Sequence, residues 1–444
     1  MNDPLRMPLK SGVCWARRVC ALVVIFLSCF CFAASSSVRA EDVTLAQAMS
    51  RTLEHEPSLK VFPLRESVLR AEAETARLRP QFELGADVQN AAGTGAYSGV
   101  DRAEVSLSLS SVIELGGKWQ ARQSLASPRL EQLAVEQRIE TLDVLGAVSR
   151  DYLQVLTAQE QLKLARDAVA IAKETVDSVA RRVQMGASPD AELMRAEAAL
   201  AQTQLAHTQQ SSQLQRAKVA LSLHWGKTAP GFNQVRGNLF ALGETGSLDH
   251  LYQRALHNPS MQSFVTESRL REAELRMAQT ANHSNVRWSV GARNFQENND
   301  SALMTSVSVP LFGERRNQGA VAAATMKRDE VALRKFHAGH ELYVRLFDAF
   351  YQRKEAIDAQ HALVTQVLPQ LQKAVNATRL AYESGRYSYV EWMAAQQDLL
   401  AARQALIDVS VRAHRSQMDI EQLTAEPLLD VGSTPSLTDT GLAQ

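Results

Sequence analysis

Apolar residues recur along this chain with two different periods, and the two periods alternate in the same order twice. From Ser127 to Met185 the positions Leu142, Leu145, Val148, Tyr152, Val155, Gln159, Leu162, Ala165, Val169, Ala172, Val176, Val179 and Val183 are separated by threes and fours. Their mean step of about 3.4 residues lies nearer the 3.5 of a left-handed coiled coil than the 3.6 of a straight helix. Gly146 is the one glycine in that stretch, and Pro128 stands where a first-turn proline is tolerated. One helix of roughly 58 residues, on the order of 87 Å long, is predicted. A second runs from about Gln318 to Glu383, with Leu342, Leu346, Ala349, Tyr351 and Ile357 on its stripe. Each then meets a turn, Gly186-Ala187-Ser188-Pro189 or Ser384-Gly385-Arg386-Tyr387-Ser388, and reverses into a helix of about 35 residues. Two antiparallel coiled-coil hairpins follow, Ala-rich at their contacts and polar elsewhere, far longer than a globule needs and suited to spanning an aqueous gap.

The period-two segments precede the hairpins. Phe82, Leu84, Ala86 and Val88 alternate with Glu83, Gly85, Asp87 and Gln89, and after the turn AAGTGAYSG come Val105, Leu107 and Leu109 against Ser106, Ser108 and Ser110. Farther on, Val286, Trp288, Val290 and Ala292 alternate with Arg287, Ser289, Gly291 and Arg293. Leu303, Thr305, Val307 and Val309 do so with Met304, Ser306 and Ser308. This is the pattern and length of tilted barrel strands, apolar outward and polar inward. Four strands cannot enclose a lumen and would leave two bare edges in a monomer, whereas several copies contributing four each would close a sheet.

The organisation is therefore a duplication. LAQAMSRTLEHEPSL, residues 45–59, returns as LDHLYQRALHNPSM, residues 248–261, and Gly186 and Gly385 are each followed six residues later by a glutamate, Glu192 and Glu391. The first repeat spans 41–225 with strands at about 81–112. A linker or equatorial segment covers 226–246, and the second repeat spans 247–425 with strands at about 286–312. Residues 1–40 read as a cleaved export signal: Arg17 and Arg18 precede the apolar run from Val19 to Ala34, and Val38-Arg39-Ala40 offers a cleavage site before Glu41. Residues 426–444, rich in Pro, Ser, Thr, Gly and Asp, read as a poorly ordered tail.

Composition narrows the chemistry. Lysines plus arginines balance aspartates plus glutamates at 48 each. Removing the signal takes away five basic residues and Asp3, leaving a mildly acidic chain with no electrostatic reason to bind nucleic acid. Cys14, Cys20, Cys29 and Cys31 all lie in the signal, so disulfides, zinc ribbons and cysteine nucleophiles are excluded from the exported chain. His337 and His340 lie one helical turn apart without a third ligand fixed beside them, and no metal site is expected. No nucleophile elbow, phosphate loop or paired-His motif is present, so neither an enzyme nor a cofactor is expected.

These residues resemble the outer-membrane efflux channels of Gram-negative bacteria, the TolC-like family, over nearly the whole chain beyond the signal. Glu114-Leu115-Gly116-Gly117-Lys118 with Trp119-Gln120-Ala121-Arg122 is similar to the ELGGK segment of the cobalt, zinc and cadmium branch. Pro310-Leu311-Phe312 and Arg316-Asn317-Gln318-Gly319 are similar to its PLF and RNQG segments, with Gly313-Glu314-Arg315 lengthening the junction. Gly116, Gly117, Asn317 and Gly319 are accordingly expected at strand-to-helix junctions, where positive φ or close backbone contact suits glycine.

The resemblance implies an α+β membrane protein. Its homotrimer would form a 12-stranded β-barrel continuous with an α-helical barrel, in outer-membrane lipid and extending into the periplasm. It implies a passive exit duct of a tripartite efflux pump for heavy-metal cations, working with a periplasmic adaptor and an inner-membrane RND-type transporter. It also implies a periplasmic gate at Glu391, Glu192, Tyr382 and Arg386, and adaptor contact at the tips around Gly186 and Gly385. A second acidic ring of the family is replaced by Ala394, and its latch arginine by Tyr387 with Arg386 one place early. Two alternatives stay open on sequence: the same channel serving drug efflux or protein secretion, and a periplasmic coiled-coil adaptor.

Overall fold

The structure, a computed structural model, describes residues 42–311 and 313–425. The expected export signal with its four cysteines, Phe312 of the PLF segment and the expected tail from residue 426 lie outside the described residues.

The first half begins with α1 (Leu45–His55), which Thr44 and Gln47 start with a capping box. α2 (Pro57–Arg77) follows with proline at its first turn. Next come β1 (Glu83–Gln89), β2 (Glu104–Ile113), the short α3 (Lys118–Gln123), α4 (Ala126–Gln184) and α5 (Asp190–Leu223). The second half gives the same order: α6 (Leu248–Ala255), α7 (Pro259–Thr280), β3 (Val286–Phe295), β4 (Asp300–Ser308), α8 (Gly313–Ala362), α9 (Leu368–Glu383) and α10 (Tyr389–Thr424). The 59 residues of α4 correspond to about 88 Å. In the second hairpin the long helix is not continuous: a π turn at Leu363–Val367 separates α8 from α9. Pro369, just inside α9, lacks an N–H and its ring would clash with a regular preceding turn, so the wider turn relieves it.

The four strands form one antiparallel sheet in the order β1-β2-β3-β4. Its centre is the β2–β3 pair, which joins the two halves with Leu109 opposite Val290 and Leu107 opposite Ala292. The register sorts side chains by face. One face carries the rows Ser111-Trp288-Val307, Leu84-Leu109-Val290-Thr305 and Ala86-Leu107-Ala292-Leu303. Leu84, Leu107, Leu303 and Val307 stand exposed on it, and Phe82 meets Trp288 edge to face at 6.3 Å. The other face is polar, with Glu83 3.3 Å from Arg287 and Arg293 2.7 Å from Glu104. The sheet coils tightly at Gly291, where an added Cβ would come within 2.4 Å of the Leu107 carbonyl. Among the described residues both outer strands, β1 and β4, have an unpaired edge.

The largest core lies midway along the helices. There Val148, Tyr152 and Val155 of α4 pack with Leu221 of α5, Ile407 of α10 and the segment after α5 at Trp225, Phe232, Val235 and Leu239. Phe232, Val235 and Leu239 thus anchor the otherwise largely exposed segment 226–246 to the helices. Val43 bridges Val235, and the Tyr152 hydroxyl donates to the carbonyls of Val43 and Arg236. Burial pushes that hydroxyl up to about 12. Arg353 of α8 donates to Thr245 Oγ1 at 2.6 Å and the Gly243 carbonyl at 2.9 Å, and His414 Nε2 of α10 meets the Leu239 carbonyl at 3.0 Å.

One stripe departs from the sequence reading. Leu342, Leu346 and Ala349 of α8 are buried, but Tyr351 is exposed. It belongs to a second row, with Leu333, Phe336, Val344 and Phe347, that stands exposed among the described residues. The helix carries two apolar faces, and only one meets its own hairpin.

Candidate functional site

Two sets of expected residues are brought together, at the strand-to-helix junctions and at the hairpin tips. At the first junction Gly116 and Gly117 have φ of +70° and +75°, the left-handed conformation that glycine adopts without cost. A Cβ on Gly116 would fall 2.1 Å from the His283 ring, so the backbone of the first half lies directly on the second. Lys118 Nζ donates to Asn285 Oδ1 at 2.6 Å, while Arg122 grips Glu114 through two nitrogens at 2.8 and 3.0 Å. That pairing holds the Glu114 carboxyl below the usual range.

At the second junction the sequence expectation needs correction. The helix starts at Gly313, so Asn317 and Gly319 lie inside its opening turns. Gly319 has an ordinary helical φ and open space around it, and nothing there requires glycine. Asn317 still ties the junction, donating from Nδ2 to the Ala278 carbonyl at 2.6 Å and to Asn282 Oδ1 at 2.7 Å.

At the tips each hairpin turns on a left-handed glycine, Gly186 at φ +70° and Gly385 at φ +75°. Each closes its helix by the bonds such a residue permits: Ala187 N donates to Arg182 O, and Arg386 N to Ala381 O, both at 2.8 Å. Tyr382, one turn before the second glycine, is 1% exposed and stacks on Trp392 at 5.2 Å, in a cluster with Val179, Ala196 and Tyr389. Its hydroxyl donates to Glu192 Oε2 of the first hairpin at 3.1 Å and lies 3.4 Å from Ser188 Oγ. Burial pushes that hydroxyl up from its ordinary 10.0; the Ser188 hydrogen bond opposes the shift and the Glu192 carboxylate adds to it.

Arg386 does not join this group, since its Nε donates to Ser384 Oγ within its own turn. Arg182 occupies the place instead. Its Nη1 donates across the hairpins to the carbonyls of Tyr382 at 2.7 Å and Glu383 at 3.0 Å, and its guanidinium carbon stands 4.7 Å from the centre of the Tyr382 ring. Sequence reasoning missed Arg182 because the spacing rule pointed to the second hairpin. The available signal was an arginine four before the first glycine, where the second half has Ala381.

Glu391 is exposed in the first turn of α10 and closes a capping box. Its Oε2 accepts from Ser388 N at 2.8 Å and Ser388 Oγ at 3.0 Å. His337 and His340 do not converge: His337 Nε2 lies 3.2 Å from Glu341 on an exposed helix face, while His340 packs on Phe336. Among the described residues no group of three or more potential ligands is gathered, and no helix is long and apolar enough to cross a membrane.

A sheet with one apolar exposed face and one charged face, fused to two helical hairpins on the order of 90 Å long, defines a β-barrel channel subunit with a helical extension. The chain belongs to the outer membrane efflux protein family, whose pattern matches residues 48–227 and 251–426. It has the TolC-like fold, is an outer-membrane channel with a periplasmic helical extension, and belongs to a family of ducts rather than enzymes. The cobalt-zinc-cadmium resistance protein CzcC of Cupriavidus metallidurans is 27% identical over 311 residues, which span 70% of this chain and 74% of CzcC. The cation efflux system protein CusC of Escherichia coli is 20% identical over 72% of this chain and 74% of its own length. Among solved structures, CusC matches with a TM-score of 0.73 over 87% of this chain and 93% of CusC, at 17% identity. The outer membrane protein VceC of Vibrio cholerae matches at 0.70 over 86% and 96%, at 16% identity. The adaptor alternative is thereby set aside.

Proposed function

We propose that three copies of this chain form the exit duct of a tripartite pump that exports heavy-metal cations, and that the duct closes at its periplasmic tips. The observation that carries the reading is the open sheet: two bare edges, β1 and β4, flank four strands whose apolar rows are exposed, so closure and lipid contact both require further copies. The uncovered row Leu333, Phe336, Val344, Phe347 and Tyr351 supports the same reading, because a neighbouring protomer would bury it. The similarity to CzcC, a cobalt-zinc-cadmium resistance protein, and to CusC, a cation efflux system protein, supports the metal cargo. In such a trimer Glu391 becomes a ring of three carboxylates that favours cations over anions. The pair Tyr382–Glu192 holds the two hairpins of one protomer together, and the turns at Gly186 and Gly385 are the surface offered to a periplasmic adaptor beneath an inner-membrane RND-type transporter.

The test is complementation. A Gram-negative host lacking its own metal-efflux channel receives this chain with its neighbouring adaptor and transporter genes. Tolerance to cobalt, zinc and cadmium should rise while tolerance to hydrophobic drugs stays the same. A gain confined to drugs would reassign the cargo, and the absence of crosslinked trimers in native membranes would overturn the duct itself.

A further inference from the structure

The geometry points to Arg182 as the pin that keeps the two hairpins of a protomer together at the tip. This rests on the reading of the tips as the closed end of the duct. Every nitrogen of the guanidinium is engaged: Nη1 on the Tyr382 and Glu383 carbonyls, Nη2 on the Ala187 carbonyl at 3.1 Å, and Nε on Ser188 Oγ at 3.1 Å. Two of these acceptors lie in the first hairpin's own turn, and two lie in the last turn of α9. One cation, itself in the last turn of α4, therefore faces the carbonyl end of α9, where the helix dipole is negative. The Tyr382 ring beneath it adds a cation–π contact and fixes the plane of the fork.

The arrangement depends on divergence between the repeats. Four and three residues before their glycines, the first half has Arg182 and Val183 and the second has Ala381 and Tyr382. The arginine of one half thus lies on the aromatic ring of the other, and a symmetric pair of tips would have no such contact. The Tyr382 hydroxyl contributes a separate, single bond to Glu192. Separation of the hairpins must break the Arg182 bonds to Tyr382 and Glu383, and a lysine, with a compact ammonium in place of a planar fork, reproduces only part of the set.

With Cys14, Cys20, Cys29 and Cys31 replaced by serine, cysteines introduced at Met185 and Tyr387, one exposed on each turn, take spin labels there alone. Their separation is measured by pulsed electron resonance in the purified full-length channel, and resting conductance is measured in planar bilayers. Arg182→Ala should lengthen and broaden the label distance and raise resting conductance by roughly tenfold or more. Arg182→Lys should fall between, and Tyr382→Phe, which keeps the ring and the carbonyls, should change both less than Arg182→Ala. An unmoved label distance in Arg182→Ala, or an equal response in Tyr382→Phe, overturns the assignment. Should the alanine variant not assemble, an Arg182→Lys channel with parental distance and conductance overturns it as well. Longer distances with unchanged conductance would leave the pin standing and refute closure at the tip.

Discussion

Leu109 lies in the middle outward row of the sheet, with Leu84, Val290 and Thr305, so an arginine there tests whether that face meets lipid. On β2 the outward positions from Val105 to Ile113 span eight steps of about 3.4 Å, or about 27 Å along the strand. Tilted by roughly 40°, this projects to about 21 Å, close to the roughly 25 Å apolar band of an outer-membrane barrel. Leu109 then sits near the midplane, where an arginine costs about 2–4 kcal/mol per copy. Three copies in a trimer bring the penalty to about 6–12 kcal/mol, as large as the whole stability of an ordinary domain. Leu109→Arg should therefore abolish the trimer that migrates intact in unheated gels of outer-membrane fractions. The control is Ser308→Arg, exposed on the polar face. Ser106 shares that face but is an unsuitable control, because it is buried with its hydroxyl 3.0 Å from Arg293 Nε. Equal trimer yields from the Leu109 and Ser308 variants would mean that the apolar rows do not face lipid.

Two further outcomes follow from single side chains. Glu391→Gln keeps an acceptor for the capping box but removes the charge, whereas Glu391→Ala removes both, at about 1 kcal/mol of helix stability. Loss of cation selectivity in the Gln variant, measured by reversal potentials, would assign selectivity to the charge, and unchanged selectivity would reduce Glu391 to a helix cap. His414 is held below its ordinary 6.5 by burial, with Arg353 adding to the effect and the Leu239 carbonyl opposing it. Its folded value is depressed, so its contribution is complete above about pH 6.5 and is lost as pH falls below that toward the folded value. Amide protection in residues 236–245, taken relative to the intrinsic exchange rate at each pH, should fall on acidification through that window, and His414→Gln should flatten the dependence.

The sequence by itself determined whatever is periodic or local. A helical step near 3.5 sustained from Leu142 to Val183 points to a long paired helix, and strict alternation places Leu84, Leu107 and Leu303 on the apolar faces of their strands before any pairing is known. Gly186 and Gly385 were legible as turns, and Tyr382 and Glu192 as gate residues through the family resemblance. Tertiary structure alone decided what depends on which segments meet. The pairing of β2 with β3 joins strands roughly 180 residues apart in the chain, and the clamping of residues 226–246 by Tyr152, Arg353 and His414 draws on three different helices. α8 carries two apolar rows, and only packing showed that Leu346 turns inward while Tyr351 stays exposed. Arg182 and Arg386 are each a single arginine beside a turn glycine. Which of them reaches across is set by the axial stagger and rotation of one hairpin against the other, and no periodicity within either hairpin encodes that.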